Sequence, residues 1–356
     1  MVTDRAAGGR AGAAGPPAPP GRAAVLAGLG AYVPPRALTN AQLCGDRPVG
    51  DEWIRARIGS AERRVADGEA TVDLAVRAGR HALTAAGADR ADAVVLATLS
   101  PDRLCPAGAP EVAARLGLGQ VPAFDLAAGC SGFLYGLGVA SSMVTAGLAD
   151  RVLLVASDVF SAFMDPADWL MRAIFGDGAG AVLLRAGSAA EAGALGPFDL
   201  GSDGAQADLL AVPGGGARAR KAQLADPGAQ FSPYFRMDGP AVRKQAVVGM
   251  CESVTRAREL AGWAPEELDA VVAHQANQRI LDDLAAELGL APERVLTHIG
   301  SYGNMAAASV PVLLAQAAAA GTLVPGRRVA LTAYGAGLAW GSTTLVWPAV
   351  RAVTEG

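Results

Sequence analysis

The chain has 356 residues, 51% of them hydrophobic and 18% charged, with 45 glycines and a formal net charge of −4. That balance excludes an intrinsically disordered chain, which needs low hydrophobicity and high charge. It also excludes a general nucleic-acid binder, whose phosphate contacts need clustered Lys and Arg.

Residues 1–22 (MVTDRAAGGRAGAAGPPAPPGR) are almost wholly Ala, Gly, Pro and Arg, without the apolar run of a signal peptide. They read as a disordered tail, a transit peptide being the alternative. Folding is expected to start at Ala23, where AAVLAGLGAYVP reads as a strand and turn. From there short β-branched runs alternate with Ala/Leu-rich helical stretches, an α/β signature. ADAVVLA at 91–97 matches LDAVVAH at 268–274, and RVLLVAS at 151–157 matches RVALTAY at 328–334; both pairs lie 177 residues apart. Two pairs at one offset point to an internal duplication, with halves at 23–195 and 196–356.

Two charge-free stretches, 126–149 and 299–326, raise the question of a membrane, because a spanning helix needs about 20 mostly apolar residues. The first carries five Gly and three Ser, and Pro311 interrupts the second, so both read as buried core helices and no membrane contact is expected. Four cysteines (Cys44, Cys105, Cys130, Cys251) and three histidines (His81, His274, His298) are too few for a disulfide scaffold, and the cytoplasm is the expected compartment.

Cys130 carries the strongest chemical signal. VPAFDL reads as a strand, AAGC as a tight turn and SGFLYGLGVASSMVTAG as a helix, which places the thiol at a helix N-terminus. Unpaired N–H groups and the helix dipole there are expected to lower its pKa and favour the nucleophilic thiolate. His274 follows the apolar run DAVVA and opens HQANQRI, at a strand's carboxyl end where α/β folds place functional groups. Asn304, in SYGNMAAAS, precedes the second charge-free helix. Adding the repeat offset to Cys130 reaches position 307, so Cys130 and Asn304 flank equivalent helix starts.

A Cys with a downstream His and Asn suits nucleophilic thiol catalysis. A papain-like protease uses the same residue types, but its signature is missing around AAGCSGF and the two halves here are of one α/β type. No Cys or His pair has close metal-ligand spacing, no GxxxxGK[ST] occurs, and FGDGAGAV at 175–182 lacks the GxGxxG order. No metal is expected.

DLAAGCSGFLYG, FGDGAGAV, HQANQRI, YGNMAAASVP and YGAGLAWGS, in this order from about Ala23 to Pro348, resemble the β-ketoacyl-acyl carrier protein synthase III family of the thiolase superfamily. The resemblance implies a thiolase-like, duplicated, five-layered αβαβα fold and a homodimer. It implies decarboxylative Claisen condensation of an acyl thioester, usually acyl-coenzyme A, with malonyl-acyl carrier protein through an acyl-Cys130 intermediate, in fatty-acid or polyketide chain initiation, a specialised secondary-metabolism member being one form of it. Coenzyme A would then be part of a substrate, not a resident cofactor. His274 and Asn304 would hydrogen-bond the malonyl thioester carbonyl as the enolate forms, and the backbone N–H groups of Cys130 and Gly335 would form the oxyanion hole.

By the same resemblance Phe175 lies beside the nucleophile, Trp53 stacks on the donor's adenine and Arg57 approaches its nucleotide. Trp169 stands where the family carries the adenine's second partner, an Arg, with Arg172 three residues on. Cys105 stands where relatives often carry an aromatic residue that reaches the partner subunit's acyl pocket, which points to a bulkier acyl group. Lys244 and Arg279 match basic residues that meet the acidic carrier, whereas Asp282, Asp283 and Glu287 would repel it. Two alternatives stay open: an acyltransferase that passes the acyl group from Cys130 to an alcohol, amine or carrier thiol without condensation, and a catalytically silent subunit.

Overall fold

The structure is a computed structural model that describes residues 21–45 and 50–356. The proposed tail thus lies outside the described residues except for its last two. Arg22 belongs to the fold: it pairs with Ser188 in the first strand and its guanidinium bonds Val144 O and Asp150.

The first half runs β1 (Arg22–Tyr32), α1 (Asp51–Ile58), α2 (Thr71–Ala85), β2 (Ala93–Ala97), α3 (Ala109–Arg115), β3 (Ala123–Leu126), α4 (Gly132–Thr145), β4 (Arg151–Asp158), α5 (Trp169–Ile174) and β5 (Gly178–Ser188). The second runs β6 (Phe198–Ser202), α6 (Gly239–Leu260), β7 (Ala270–Ala273), α7 (Gln278–Glu287), β8 (Val295–Leu296), α8 (Ser309–Ala319), β9 (Arg328–Gly335) and β10 (Ala339–Val346), and the chain ends in β11 (Ala352–Glu355).

One sheet has the order β11-β1-β5-β4-β2-β3 and the other β8-β7-β9-β10-β6. Leaving β11 aside, the two sheets have the same strand senses: two successive antiparallel pairings, the second of which leads into a run of three parallel strands. β2 and β7, β4 and β9, and α4 and α8 each begin 177 residues apart, the offset read from the sequence. β11 departs from the partition: it leaves the second half and pairs parallel to β1 in the first sheet.

The layers follow from which faces are apolar. β2 (AVVLA) is buried throughout, because a parallel strand covered on both sides has no polar face. α4 and α8 lie between the sheets and are apolar nearly all round, α8 burying Val310, Pro311, Val312, Leu313 and Leu314 together. α2 and α3 cover the outer face of the first sheet, and α6 and α7 that of the second. This is the expected five-layered αβαβα arrangement. The charge-free stretches are these central helices, and among the described residues no helix is long and apolar enough to cross a membrane.

The repeat is broken at one informative place. Three residues separate β9 from β10, but nineteen separate β4 from β5, and the extra segment carries α5, Trp169 and Phe175. The first half has thus grown a wall against the junction of the halves. Arg63 anchors it: fully buried, its guanidinium donates to Ala173 O at 2.7 Å, Leu38 O at 2.9 Å and Asn40 Oδ1 at 2.7 Å. Burial pushes its pKa down to about 10, and carbonyl acceptors on two segments, 38–40 and Ala173, offset that desolvation.

Candidate active site

Between β3 and α4 the chain makes a single tight turn, Gly129–Ser131. Gly129 has φ +60°, and a Cβ there would lie 2.3 Å from Ala336 O, so both handedness and space demand glycine. Ser131 Oγ donates to Ala339 O at 2.8 Å, tying this turn to the β9–β10 hairpin of the other half. The Cys130 sulfur receives its own N–H and that of Ala336. The second donor to the sulfur is thus Ala336, the residue after the expected oxyanion donor Gly335. Gly335 supplies room instead, because a Cβ on it would come within 2.5 Å of Cys130 N and 2.8 Å of Cys130 Cβ.

The expected thiolate is also corrected. The Cys130 side chain keeps a partly accessible face, but protein surrounds the sulfur, and burial with the nearby Asp158 charge pushes its pKa up to about 12. The two N–H donors oppose this shift without overcoming it. Both causes, burial and charge, favour the thiol over the thiolate.

His274 sits one residue beyond β7, its N–H bonded to Thr332 O at 2.9 Å and its ring almost wholly buried. Burial lowers its pKa to about 4, so it is neutral at physiological pH; a hydrogen bond to the Ala306 backbone opposes the shift and nearby His298 adds to it. Asn304 is clamped by its backbone, N–H to Ile174 O and C=O to Gly176 N–H, both at 2.9 Å. Its Oδ1 accepts the Ala306 N–H at 2.9 Å, which orients the amide and leaves the Nδ2 hydrogens as donors.

His274 and Asn304 thus converge on Ala306, which has φ +47° and is, among the described residues, the one non-glycine with positive φ. Such a conformation costs about 1–2 kcal/mol and persists where surrounding bonds over-determine it. The turn Ala306–Ala308 is the repeat mate of Gly129–Ser131 and packs against it, so thiol, imidazole and amide come together at the starts of α4 and α8.

Four rings wall this junction: Phe160, Phe163, Phe175 and Phe235, with neighbouring centroids 5.0 to 5.9 Å apart, in one apolar cluster with Cys130. Sequence reasoning found Phe175 alone; the others come from segments without a motif. Trp53 and Trp169 also join the cluster, but their centroids are 5.7 Å apart at 53° and the Arg57 guanidinium lies 4.4 Å over Trp53. A flat ring held between two parallel faces needs them about 7 Å apart, twice a carbon–carbon contact. Trp53, Trp169 and Arg57 are therefore assembled, but as a mutual stack and not as a slot for adenine. Arg172 donates to Pro166 O at 3.2 Å, within the loop that carries Trp169.

Cys105 stands on an exposed loop outside the Cys130 cluster. That loop, with Leu104 at 71% exposure, borders a cavity of about 740 Å³ that reaches Leu99, Leu126 and Phe163. Lys244 and Arg279 are exposed, Lys244 at a cleft of about 530 Å³ beside Tyr334 and Trp340. The acidic face of α7 is partly neutralised: Asp283 pairs with Arg243 at 2.6 Å, and Asp282 accepts from Gln278 at 2.8 Å. Among the described residues no cluster of His, Cys, Asp and Glu has the makings of a metal site.

Two layered halves of one topology, with Cys, His and Asn at the paired central helix starts, define a condensing enzyme of the thiolase fold. Comparison with known proteins is in accord. Residues 124–204 match the family model of 3-oxoacyl-[acyl-carrier-protein] synthase III, and residues 259–347 match that of its C-terminal region. The chain is 51% identical over 335 residues to β-ketoacyl-[acyl-carrier-protein] synthase III 3 of Streptomyces coelicolor, covering 93% of this chain and 99% of the relative. The crystal structure of 3-oxoacyl-(acyl carrier protein) synthase III from Pseudomonas aeruginosa superposes with a TM-score of 0.86 at 49% identity, over 92% of this chain and 99% of that one. A priming β-ketosynthase of a polyketide pathway gives 0.86 at 32% identity, over 95% and 99%. The chain belongs to the 3-oxoacyl-[acyl-carrier-protein] synthase III family.

Proposed function

We propose that this enzyme starts fatty-acid or polyketide chains by condensing an acyl thioester with malonyl-acyl carrier protein. The observation that carries the reading is the pairing of a buried neutral His274 with the oriented amide of Asn304, both held on Ala306 beside the Cys130 turn. In the first step the Cys130 sulfur bonds to the acyl carbon and the donor's C–S bond breaks. The thiol proton leaves with the donor's sulfur, so one thiol replaces another, as suits a nucleophile whose pKa is pushed up to about 12. The N–H groups of Cys130 and Ala336, which reach the resting sulfur, are proposed to turn to the oxyanion of this step, with Gly335 beside them.

In the second step the malonyl carboxylate departs as carbon dioxide and its bonding pair becomes an enolate. The free Nδ2 hydrogens of Asn304 donate to the enolate oxygen, and the single N–H of the neutral His274 ring exchanges its Ala306 backbone partner for that oxygen; a charged imidazolium is not needed. The enolate carbon then attacks the acyl carbon, the C–S bond to Cys130 breaks, and the sulfur takes up a proton. Plain acyl transfer to an alcohol, amine or carrier thiol needs no enolate stabiliser, so His274 and Asn304 speak against it. Lys244 and Arg279 are proposed to meet the carrier, and Phe175 with its neighbouring rings to line the acyl group's path. We place the enzyme in the cytoplasm.

Incubating the enzyme with a panel of acyl-coenzyme A and acyl-carrier thioesters should leave an adduct on Cys130 by mass spectrometry, and malonyl-acyl carrier protein should then discharge it with release of carbon dioxide. An adduct without carbon dioxide release sinks condensation in favour of acyl transfer; no adduct from any donor sinks both. A homodimer is proposed on separate grounds: β3 is the unpaired edge of its sheet, with Phe124 37% exposed, beside the exposed Leu104. Light scattering during gel filtration should report twice the chain mass, and a monomer at micromolar concentration would refute it.

A further inference from the structure

The residue after His274, Gln275, is fully buried, and every hydrogen-bonding position of its side-chain amide is filled. Its Nε2 donates to Ala273 O at 2.9 Å and to Leu296 O at 3.2 Å. Its Oε1 accepts the His298 N–H at 3.0 Å and the Thr297 hydroxyl at 3.2 Å. Because a backbone N–H can only donate, the His298 contact fixes which end of the amide is the oxygen. The C=O of Leu296 and the N–H of His298 flank Thr297 in the chain. In a parallel ladder a residue bonds the C=O before and the N–H after the residue opposite it. The side chain of Gln275 therefore stands in for a backbone rung opposite Thr297, on the β8 side of β7.

The repeat shows what this exchange does. The 177-residue offset carries His274 onto Ala97. In the first half β2 and β3 form four rungs, the last of them Ala97 with Leu126. β7 and β8 form two, Val271 with Val295 and Val272 with Leu296, and stop two residues short of His274. On the other side the pairing runs on, and His274 N–H still bonds Thr332 O at 2.9 Å. Released from β8, the backbone turns at once: Ala276 N–H donates to His274 O at 3.0 Å, and α7 starts at Gln278. His274 thus lies at a bend, and the amide beside it holds the strand end that the bend let go.

We propose that Gln275 is a positioning residue for the second half-reaction: its amide replaces the missing rungs between β7 and β8 and so fixes the bend from which His274 meets Ala306 beside Asn304. The inference rests on the condensation reading for its effect on rate, and on the bond geometry alone for its effect on His274. Without the amide, Ala273 O, Leu296 O and His298 N–H lose this partner together, and backbone groups left unmet draw the segment toward other partners. The His274 ring and the Asn304 amide both bond Ala306, so a shift of the bend changes how these two donors stand to each other. Acylation of Cys130 draws on the Cys130 and Ala336 N–H groups and not on His274, so it is insensitive to the change.

The test is Gln275→Met, which keeps the length of the side chain and removes all of these bonds. The half-reactions are followed separately: adduct formation on Cys130 by mass spectrometry, and carbon dioxide release from malonyl-acyl carrier protein by the loaded enzyme. Loading should stay within about threefold of wild type while carbon dioxide release falls about 10–10²-fold. A general loosening of the fold would lower both together, so equal losses, or no loss in either, overturn the proposal. Should Gln275→Met fail to fold, Thr297→Val decides. It removes one bond to the amide at an exposed side chain, and carbon dioxide release alone should fall about two- to tenfold. An unchanged rate overturns the proposal. A wild-type enzyme that loads Cys130 yet releases no carbon dioxide refutes the condensation reading instead. The role of Gln275 is then decided by modification of His274 with diethylpyrocarbonate, followed by peptide mass mapping. With loading unchanged, modification should run at least about fivefold faster in the variant, because the bend opens more often; a rate equal to wild type overturns the role.

Discussion

Gly335→Ala is expected to cut acyl loading of Cys130 by about 10²–10³-fold, although it retains the N–H of residue 335. The added Cβ would meet Cys130 N at 2.5 Å, Cβ at 2.8 Å and Cα at 3.0 Å. None of these is the free end of a side chain, so relief requires the backbone of the nucleophile turn or of the β9–β10 hairpin to move. Either motion displaces the sulfur relative to Ala336 N–H, the donor next in sequence. A misplacement of about 1 Å in a catalytic group costs about 10² in rate, and loss of one oxyanion donor about 10²–10³. Stopped-flow or quenched mass spectrometry of adduct formation checks this. Loading within threefold of wild type would show that residue 335 acts through its N–H and not through the space it leaves.

A second large effect concerns acid stability. His274 and His298 have pKa values lowered by burial to about 4, against an ordinary 6.5. Each unfolds into a form that binds a proton more readily, so their contribution to stability is complete above pH 6.5 and is lost as pH falls through 4. For the almost fully buried His274 this amounts to about 3 kcal/mol; His298 is less enclosed and contributes less. Asp158 works the other way: burial raises its pKa to about 6, so the folded state gains relative stability as pH falls from 6 toward its ordinary value near 3.8. Asp158 offsets roughly one histidine, and the raised, buried Asp177 opposes the loss further, so the net expectation is a loss of about 1 kcal/mol between pH 6.5 and 4. The urea midpoint should therefore drop from pH 7 to pH 4.5, and His298→Gln, which replaces a titrating ring by a neutral amide, should flatten the slope or reverse it. A midpoint independent of pH across that range would contradict the burial of both rings.

His298 is placed by the same registry that places His274. β7 and β8 pair Val271 with Val295 and Val272 with Leu296, so extending the register by two residues sets the two histidines side by side at the strand ends. His298 Nδ1 contacts Gln316 Oε1 at 2.7 Å and its ring packs on Tyr302, giving it a structural anchor on α8.

Some features were legible because they depend on local covalent order. The 177-residue offset located both central helices and their starts, since repeated strands and helices preserve spacing wherever no insertion intervenes. A Gly before Cys130 and a strand before His274 are neighbour relations, and the structure keeps both. Other features were not legible because they depend on contacts between distant segments. That Ala336 N–H reaches the sulfur was not legible, because which of two adjacent N–H groups faces a given atom is set by the hairpin's twist. Arg63, Phe160 and Phe235 entered the site from segments that carry no motif. Trp53 and Trp169 were brought together as foreseen, but their 5.7 Å separation and tilt are properties of packing.

By itself, then, the order of residues determined the duplicated α/β architecture, which follows from periodicity and spacing along the chain, and through the resemblance of its motifs it gave the family and pointed to Cys130, His274 and Asn304. The tertiary structure alone decided the ionisation of the site. A helix start predicts a lowered thiol pKa only if water remains beside the sulfur. Enclosure by the second half, together with the buried charge of Asp158, reverses that prediction, because desolvation and a like charge both act through space and leave no trace in the neighbouring sequence.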